Sequence, residues 1–562
     1  RLIIALAIAQ AFLAFAALVV IGALLTSQQE TPLLERNTLL RVTLSGEIIE
    51  YSTLPAVPLL RQRVLTQTDI LEALQDAAVD ARIEAVLVDL DTPLIGWGKA
   101  FELHQAILRF RESGKPAWGW GASMEEVDLY IGSACDSLFA PPTGLVLANG
   151  FGLGGTYFKR TLDLLGIRPN FLRTGDYKSA PEVFTEEGMS PAARRENEWL
   201  LQDMWNEFVD TVLARRRLDG PSFSAILRKG LFTSREAVDA GLIDDVRHLE
   251  RILSQYTDKE GNSQWVDVLS YRKEHEHDGV KHGDIVAVIH ARGLILRGPH
   301  GYHPNFGAIL GASSVIEDIE AAVNDDKVVA IVLRIDSGGG DIIASDMIRH
   351  AVERARGHKP IVVSMVDIAA SGGYMMAYPA TQLFAMPGTL TGSIGGFIGK
   401  FNLLGLYDKI GISKDFVTRG EYPLLWSDYQ DWSAREESLI TRHLWTNYDE
   451  WTADIADRRN LRPAEVDSIG RGRVWTGRQA FQNGLVDDIG TLHDAIAASR
   501  RLAGVDADEA PRIVHYPRPR SWIDLLLSDE ELVLGALQQR LQTNRPLPRS
   551  RVWSRVDLQT LR

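Results

Sequence analysis

Two apolar runs of β-branched type stand out in the middle of the chain: VVAIVLRI, from Val328 to Ile335, and PIVVSMV, from Pro360 to Val366. Between them Ile343, Met347, Ile348 and Ala351 recur at helical spacing within residues 342–356. Strand, helix and strand in that order, with strands apolar on both faces, predict a parallel sheet covered by helices, an α/β fold. A different pattern opens the chain. Leu2 to Thr26 carries no charge and one strongly polar side chain, Gln10. About 20 apolar residues suffice to cross a bilayer as a helix, and a cleavable signal has an apolar region of only about 7–15, so residues 1–27 are expected to be an uncleaved transmembrane anchor. With Arg1 before the span and Glu30, Glu35 and Arg36 after it, the positive-inside tendency puts the bulk of the chain outside the cytoplasm.

The pattern is written twice. AVLVDLDT (Ala85 to Thr92) is echoed by AIVLRIDS (Ala330 to Ser337), LLGIRPNFLRTGDY (Leu164 to Tyr177) by KIGISKDFVTRGEY (Lys409 to Tyr422), and LFTSREAVDAGLIDDV (Leu231 to Val246) by VWTGRQAFQNGLVDDI (Val474 to Ile489). Lys115 and Lys359 stand 244 residues apart, Tyr130 and Tyr374 also 244, Gly166 and Gly411 245, Thr233 and Thr476 243. A constant offset of this kind is a tandem duplication. It divides the chain into a first domain at 38–255, a polar linker or excursion at 256–283, a second domain at 284–505, and a tail at 506–562 that repeats nothing and ends rich in arginine.

Composition narrows the function. A net charge of -14 argues against a nucleic-acid partner, whose phosphates need a basic face. One cysteine, Cys135, excludes an intramolecular disulfide and reads as a buried structural thiol. His290, His300 and His303 cluster loosely without any metal-binding spacing, so no metal is expected. The glycines Gly150, Gly152, Gly154 and Gly155 read as a packing turn, their repeat counterparts being Gly395, Gly396 and Gly399.

Two glycine-rich turns follow predicted strands: DSGGGD, Asp336 to Asp341, and AASGGY, Ala369 to Tyr374. Glycine permits unusual dihedrals and close approach, so the N–H groups of such turns can face a developing negative charge. In the second turn Ser371 stands where a strand gives way to a helix, its hydroxyl near the helix's positive end. Alone, each feature has a plainer reading: many Ser-Gly-Gly turns are simply tight turns, and Lys178, in GDYKSAPEVF (Gly175 to Phe184), reads as a solvated lysine.

Together with LTGSIG (Leu390 to Gly395), these motifs resemble the signal peptide peptidase A family of the Clp-protease/crotonase superfamily, in its long, duplicated form. The resemblance runs from the anchor to about residue 500. It implies that Ser371 is a nucleophile and Lys178 its general base, with an oxyanion hole at Gly339, Gly340 and Gly372 and no cofactor. Ser179, beside the lysine, is a candidate for orienting the amine. Where the family has proline in this turn, Gly338 stands here. Also implied are cleaved signal peptides and other short or unfolded peptides as substrates, a homo-oligomer (a tetramer), and a single-pass protein of the bacterial inner membrane with its catalytic part in the periplasm. A crotonase-like acyl-CoA hydratase or isomerase and an inactive membrane scaffold are the alternatives on this fold.

The repeat adds its own constraint. In register, Val127 stands opposite Ser371, and Pro423 opposite Lys178. The first copy therefore lacks the serine and the second the lysine, so a Ser-Lys site must be composite. Ser337 and Ser393 are rival nucleophiles, Ser337 being better read as a structural hydroxyl of its turn.

Overall fold

A computed structural model describes residues 34–52, 64–257, 261, 263–275, 284–505 and 511–518. The expected anchor lies outside them. Among the described residues no helix is long and apolar enough to cross a membrane.

The first half runs β1 (Thr38–Glu47), α1 (Gln67–Val79), β2 (Ile83–Leu94), α2 (Trp97–Glu112), β3 (Ala117–Trp120), β4 (Ser137–Ala140), β5 (Arg168–Arg173), α3 (Pro191–Arg216), β6 (Asp245–Val246) and β7 (Trp265–Asp267). Its main sheet has the order β7-β1-β2-β3-β4-β6, parallel throughout. The second half supplies β8 (Ile285–Arg292), β9 (Val328–Ser337), α4 (Ile342–Arg356), β10 (Ile361–Ala370), α5 (Gly372–Ala377), β11 (Gln382–Ala385), β12 (Leu390–Gly392), β13 (Phe397–Asn402), α6 (Ala434–Arg459), β14 (Val474–Thr476), β15 (Asp488–Ile489), α7 (Leu492–Leu502) and β16 (Arg512–Tyr516). Here the parallel order is β16-β8-β9-β10-β11-β15, the same topology, with β12 and β14 added where β10 ends. The α/β fold with duplicated parallel sheets is as the pattern predicts. Side chains alternate across each strand: Ile331, Leu333 and Ile335 of β9 enter one core, and Val332 enters a second beneath α7.

Two boundaries differ from the expectation. Residues 256–283, expected to be a linker, contain β7, which pairs with β1, and a helix, Val268–His275, that packs on α1. The tail contains β16, which takes the place in the second sheet that β7 takes in the first. Both strands are short and flanked by polar residues, and their stability comes from pairing with a distant strand rather than from a local period.

The halves are joined by buried charge. Arg334 of β9, inaccessible to solvent, donates to Glu50 (2.8 Å), Glu102 (2.5 Å) and Ser364 (2.8 Å). Lys99 of α2 pairs with Asp336 (2.9 Å) and Asp367 (2.6 Å), at the roots of the two glycine turns. Gly98 allows this approach, since a Cβ there would lie 2.5 Å from the Val366 carbonyl oxygen.

Candidate active site

Strand β10 ends at Ala370 and α5 begins at Gly372, leaving Ser371 between them at φ 55° and ψ −117°. Such a backbone costs about 1–3 kcal/mol in a non-glycine residue and persists only when its surroundings hold it. The Ser371 N–H donates to the Gly392 carbonyl (2.8 Å), and the Ser371 carbonyl accepts from Met375 (2.9 Å). The turn of residues 338–340 presses against it. A Cβ on Gly339 would sit 2.9 Å from that of Ser371, and one on Gly340 2.1 Å from the Ile295 carbonyl oxygen. Both positions require glycine for space. The Gly339 N–H is taken by the Ser337 hydroxyl (3.2 Å), which itself donates to Gly293 (2.6 Å). Ser337 is thus a structural hydroxyl of the turn. Gly340 and Gly372 have no acceptor for their N–H groups among the described residues.

The lysine arrives from the first half. Strand β5 pairs antiparallel with β13, and the Thr174 hydroxyl accepts from the Gly396 N–H (2.8 Å), carrying the following loop across to the second half. Gly472 packs on the Lys178 backbone so closely that a Cβ would lie 2.3 Å from its nitrogen. The side chain, 5% exposed, ends 3.0 Å from Ser371 Oγ, 2.9 Å from the Ser393 carbonyl oxygen and 2.8 Å from Ser393 Oγ. Burial pulls its amine down to about 7, against a smaller upward pull from the Glu196 carboxylate. A lysine so placed is half neutral near pH 7, as a base must be.

Both halves are similar in sequence to known peptidases. The model of "Peptidase family S49" matches residues 109–262 and again 353–506, the 244-residue repeat seen directly, and the two matches hold Lys178 and Ser371 respectively. A chloroplastic "Serine protease SPPA" of Arabidopsis thaliana is 30% identical over 510 residues, 88% of this chain and 73% of its own length. "Protease 4" of Salmonella typhi is 33% identical over 457 residues, 77% of this chain and 72% of its own. The chain belongs to peptidase family S49. It is a serine peptidase. Among solved structures, a mutant 1510-N membrane-bound stomatin-specific protease with a substrate peptide aligns over 46% of this chain and 99% of its own, at 12% identity and a TM-score of 0.27.

In this S49 chain the composite pair forms within one molecule, which the repeat leaves open. Ser179 is not among the partners of the lysine amine; its N–H is turned to the Tyr177 carbonyl (2.7 Å). Ser393 holds the amine instead, at φ 51° with its N–H on the Arg473 carbonyl (2.6 Å). Sequence alone offers Ser393 only as a rival nucleophile. Its place in LTGSIG, directly after β12, is the signal that sets it beside the pair. In the first copy the equivalent region is closed: Val127 is buried, and the Glu126 carboxylate accepts from the N–H groups of Asn149 (2.7 Å) and Gly150 (2.8 Å). The glycines expected to form a packing turn do not pack there, since a Cβ at Gly152 or Gly154 would meet nothing within 4 Å. Their counterpart Gly399 does, lying against the ring of Phe171. His290 stacks on Tyr51 and meets His515 at 2.9 Å, while His300 Nδ1 accepts from Gly311 (3.1 Å). Among the described residues no group of three or more His, Cys, Asp or Glu side chains could hold a metal.

Proposed function

We propose that this peptidase is membrane-anchored through residues 1–27 and degrades cleaved signal peptides and other short or unfolded peptides, with Ser371 as nucleophile and Lys178 as general base. The observation that carries the reading is the set of three contacts around Lys178 Nζ. A neutral amine has two N–H groups and one lone pair. Ser393 offers two acceptors, its carbonyl oxygen and Oγ, and the remaining direction leads to Ser371 Oγ. The lone pair is thereby aimed at the Ser371 proton. Attack of Oγ on the scissile carbonyl transfers that proton to Nζ, and the N–H groups of Gly340 and Gly372 are the donors for the oxyanion. Gly339 serves the turn rather than the oxyanion, its N–H being engaged. The ammonium then returns its proton to the departing amine, leaving an acyl-Ser371 ester. Water, deprotonated by the same lysine, hydrolyses the ester.

An acylating serine reagent is expected to label Ser371, at a rate that rises with pH through about 7 and levels off above it, because only the free amine accepts the proton. Peptide mapping of the label across a pH series checks both parts. A label on another serine, or a rate flat from pH 5 to 9, contradicts the assignment.

The repeat also supports a homo-oligomer. Strand β5 pairs with β13 inside the chain, yet the repeat equivalents of these strands, 413–418 and 153–158, belong to no described strand and lie half-buried to exposed. The ring of Phe171 covers Gly399; the equivalents are Phe416, 40% exposed, and Gly155. Laying 413–418 of one copy along 153–158 of the next completes the pattern head to tail, the kind of contact from which rings are built. Val417, fully exposed in the single chain, would be covered there. Val417→Glu is expected to convert the oligomer to single chains by light scattering without lowering the thermal midpoint of the chain itself. An unchanged oligomer would place the interface elsewhere.

A further inference from the structure

Helix α3 belongs to the lysine-bearing half but docks on the other. Its Leu200 packs with Leu390 of β12 and Val474 of β14. Three of its carboxylates follow β14 outward: Glu196 accepts the Val474 N–H (2.7 Å), Asp203 the Thr476 hydroxyl (2.5 Å), and Glu207 pairs with Arg478. The first of these reaches the site. Gly392 of β12 is in register with Val474, and its carbonyl holds the Ser371 N–H. Arg473, next to Val474, holds the N–H of Ser393, the residue that grips the lysine amine. Glu196 is 4% exposed, and the charged groups that act on it are Lys178, Arg473 and Glu182.

We propose that Glu196 is a positioning residue for the dyad: it fastens the strand beside Ser393 and Ser371, and so holds the site in which Lys178 works as a base. The inference rests on Lys178 being that base. The repeat supports it from outside. Ser190 and Ser433 cap helices of equal length, 26 residues. Glu196 lies six residues past the first cap; six past the second is Leu439, in the half that has no lysine. Burial pushes the Glu196 carboxyl up to about 8 while it pushes the Lys178 amine down to about 7. The carboxyl is therefore largely protonated where the amine titrates, and it accepts the Val474 N–H in either form. An ionised Glu196 favours the ammonium; a protonated one leaves the amine free.

Glu196→Gln keeps an acceptor for Val474 and resembles the protonated carboxyl. The acid limb of kcat/KM is expected to stay in place, with plateau kcat and KM held within about threefold. Glu196→Leu, the repeat's own residue, removes the acceptor and is expected to lower plateau kcat on the order of 10- to 100-fold. Full kcat in a folded Glu196→Leu, or a Glu196→Gln that loses as much kcat as Glu196→Leu, overturns the fastening. Should Glu196→Leu fail to fold, Glu196→Met, which fills the volume without the carboxyl acceptor, is read in its place. Lys178→Ala and Ser371→Ala, assayed in parallel, separate the two levels. Activity surviving in either removes the dyad itself, whereas their inactivity beside full kcat in Glu196→Leu removes only Glu196.

Discussion

Ser371→Ala and Lys178→Met are each expected to lower peptide hydrolysis roughly 10³- to 10⁶-fold while leaving the chain folded. Removing Oγ from Ser371 leaves the Cβ and the backbone at φ 55° as they are, so the turn is not strained further. Methionine in place of Lys178 refills the volume of the buried stem and takes away only the amine. Its cost is the two Ser393 acceptors left without a donor, about 1–3 kcal/mol for each that stays dry. Lys178→Arg tests the protonation state directly: a guanidinium is always charged, so it cannot take the Ser371 proton and the variant is expected to be as inactive as methionine. Because the two groups act in one proton transfer, the double variant is expected to be no worse than either single one. Fluorogenic-peptide hydrolysis with circular dichroism as a folding control measures all four proteins. Rates that multiply in the double variant would show two independent contributions and end the dyad.

Neither half holds both groups, so a chain carrying only residues 34–283 or only those from 284 onward is expected to be inactive. That much is legible in the amino-acid sequence, because Val127 and Pro423 occupy the reciprocal positions. The sheets are legible for a similar reason: runs such as VVAIVLRI have a strong local period that pairing merely completes. What cannot be read there is what depends on contact between the halves. Nothing around Glu196 marks it as buried, since polar and charged residues surround it and its burial comes from docking α3 on β14. The same holds for Ser393, whose function is decided by a lysine 215 residues away. Strands β7 and β16 escape because three to five residues carry too little pattern to be heard over polar neighbours. Ser179 attracts attention by adjacency, yet successive side chains leave a loop in different directions, and the amine at the end of a long stem is oriented by whatever it reaches.

Arg334 presents the second large effect. It sits within the apolar run of β9 on the face shared with Val332, and its guanidinium is wholly enclosed between Glu50 and Glu102 of the first half. Burial raises the Glu50 carboxyl even with the arginine beside it, and Glu102 is tied further to the Leu492 N–H (2.8 Å). Arg334→Met would leave two carboxylates facing one another without their countercharge, for which a loss of about 3–5 kcal/mol is expected. At about 2–4 °C per kcal/mol for a domain of this size, the thermal midpoint should fall by roughly 6–20 °C. The pH dependence identifies the cause. In the variant the Glu50 carboxyl, already raised by burial, has lost its countercharge and binds a proton more tightly folded than unfolded, so folding takes up a proton between the unfolded and folded values. Its stability should therefore fall as pH rises through that window and recover on acidification, narrowing the gap to the parent protein. Adding Glu50→Gln and Glu102→Gln to Arg334→Met should restore part of the loss at pH 7, since neutral amides need no countercharge. A midpoint deficit that is the same at pH 5 and pH 8 would instead assign the loss to packing. Because the network ties β9, which leads into the glycine turn of residues 338–340, to the half that carries Lys178, the variant's remaining folded fraction should also lose hydrolytic rate.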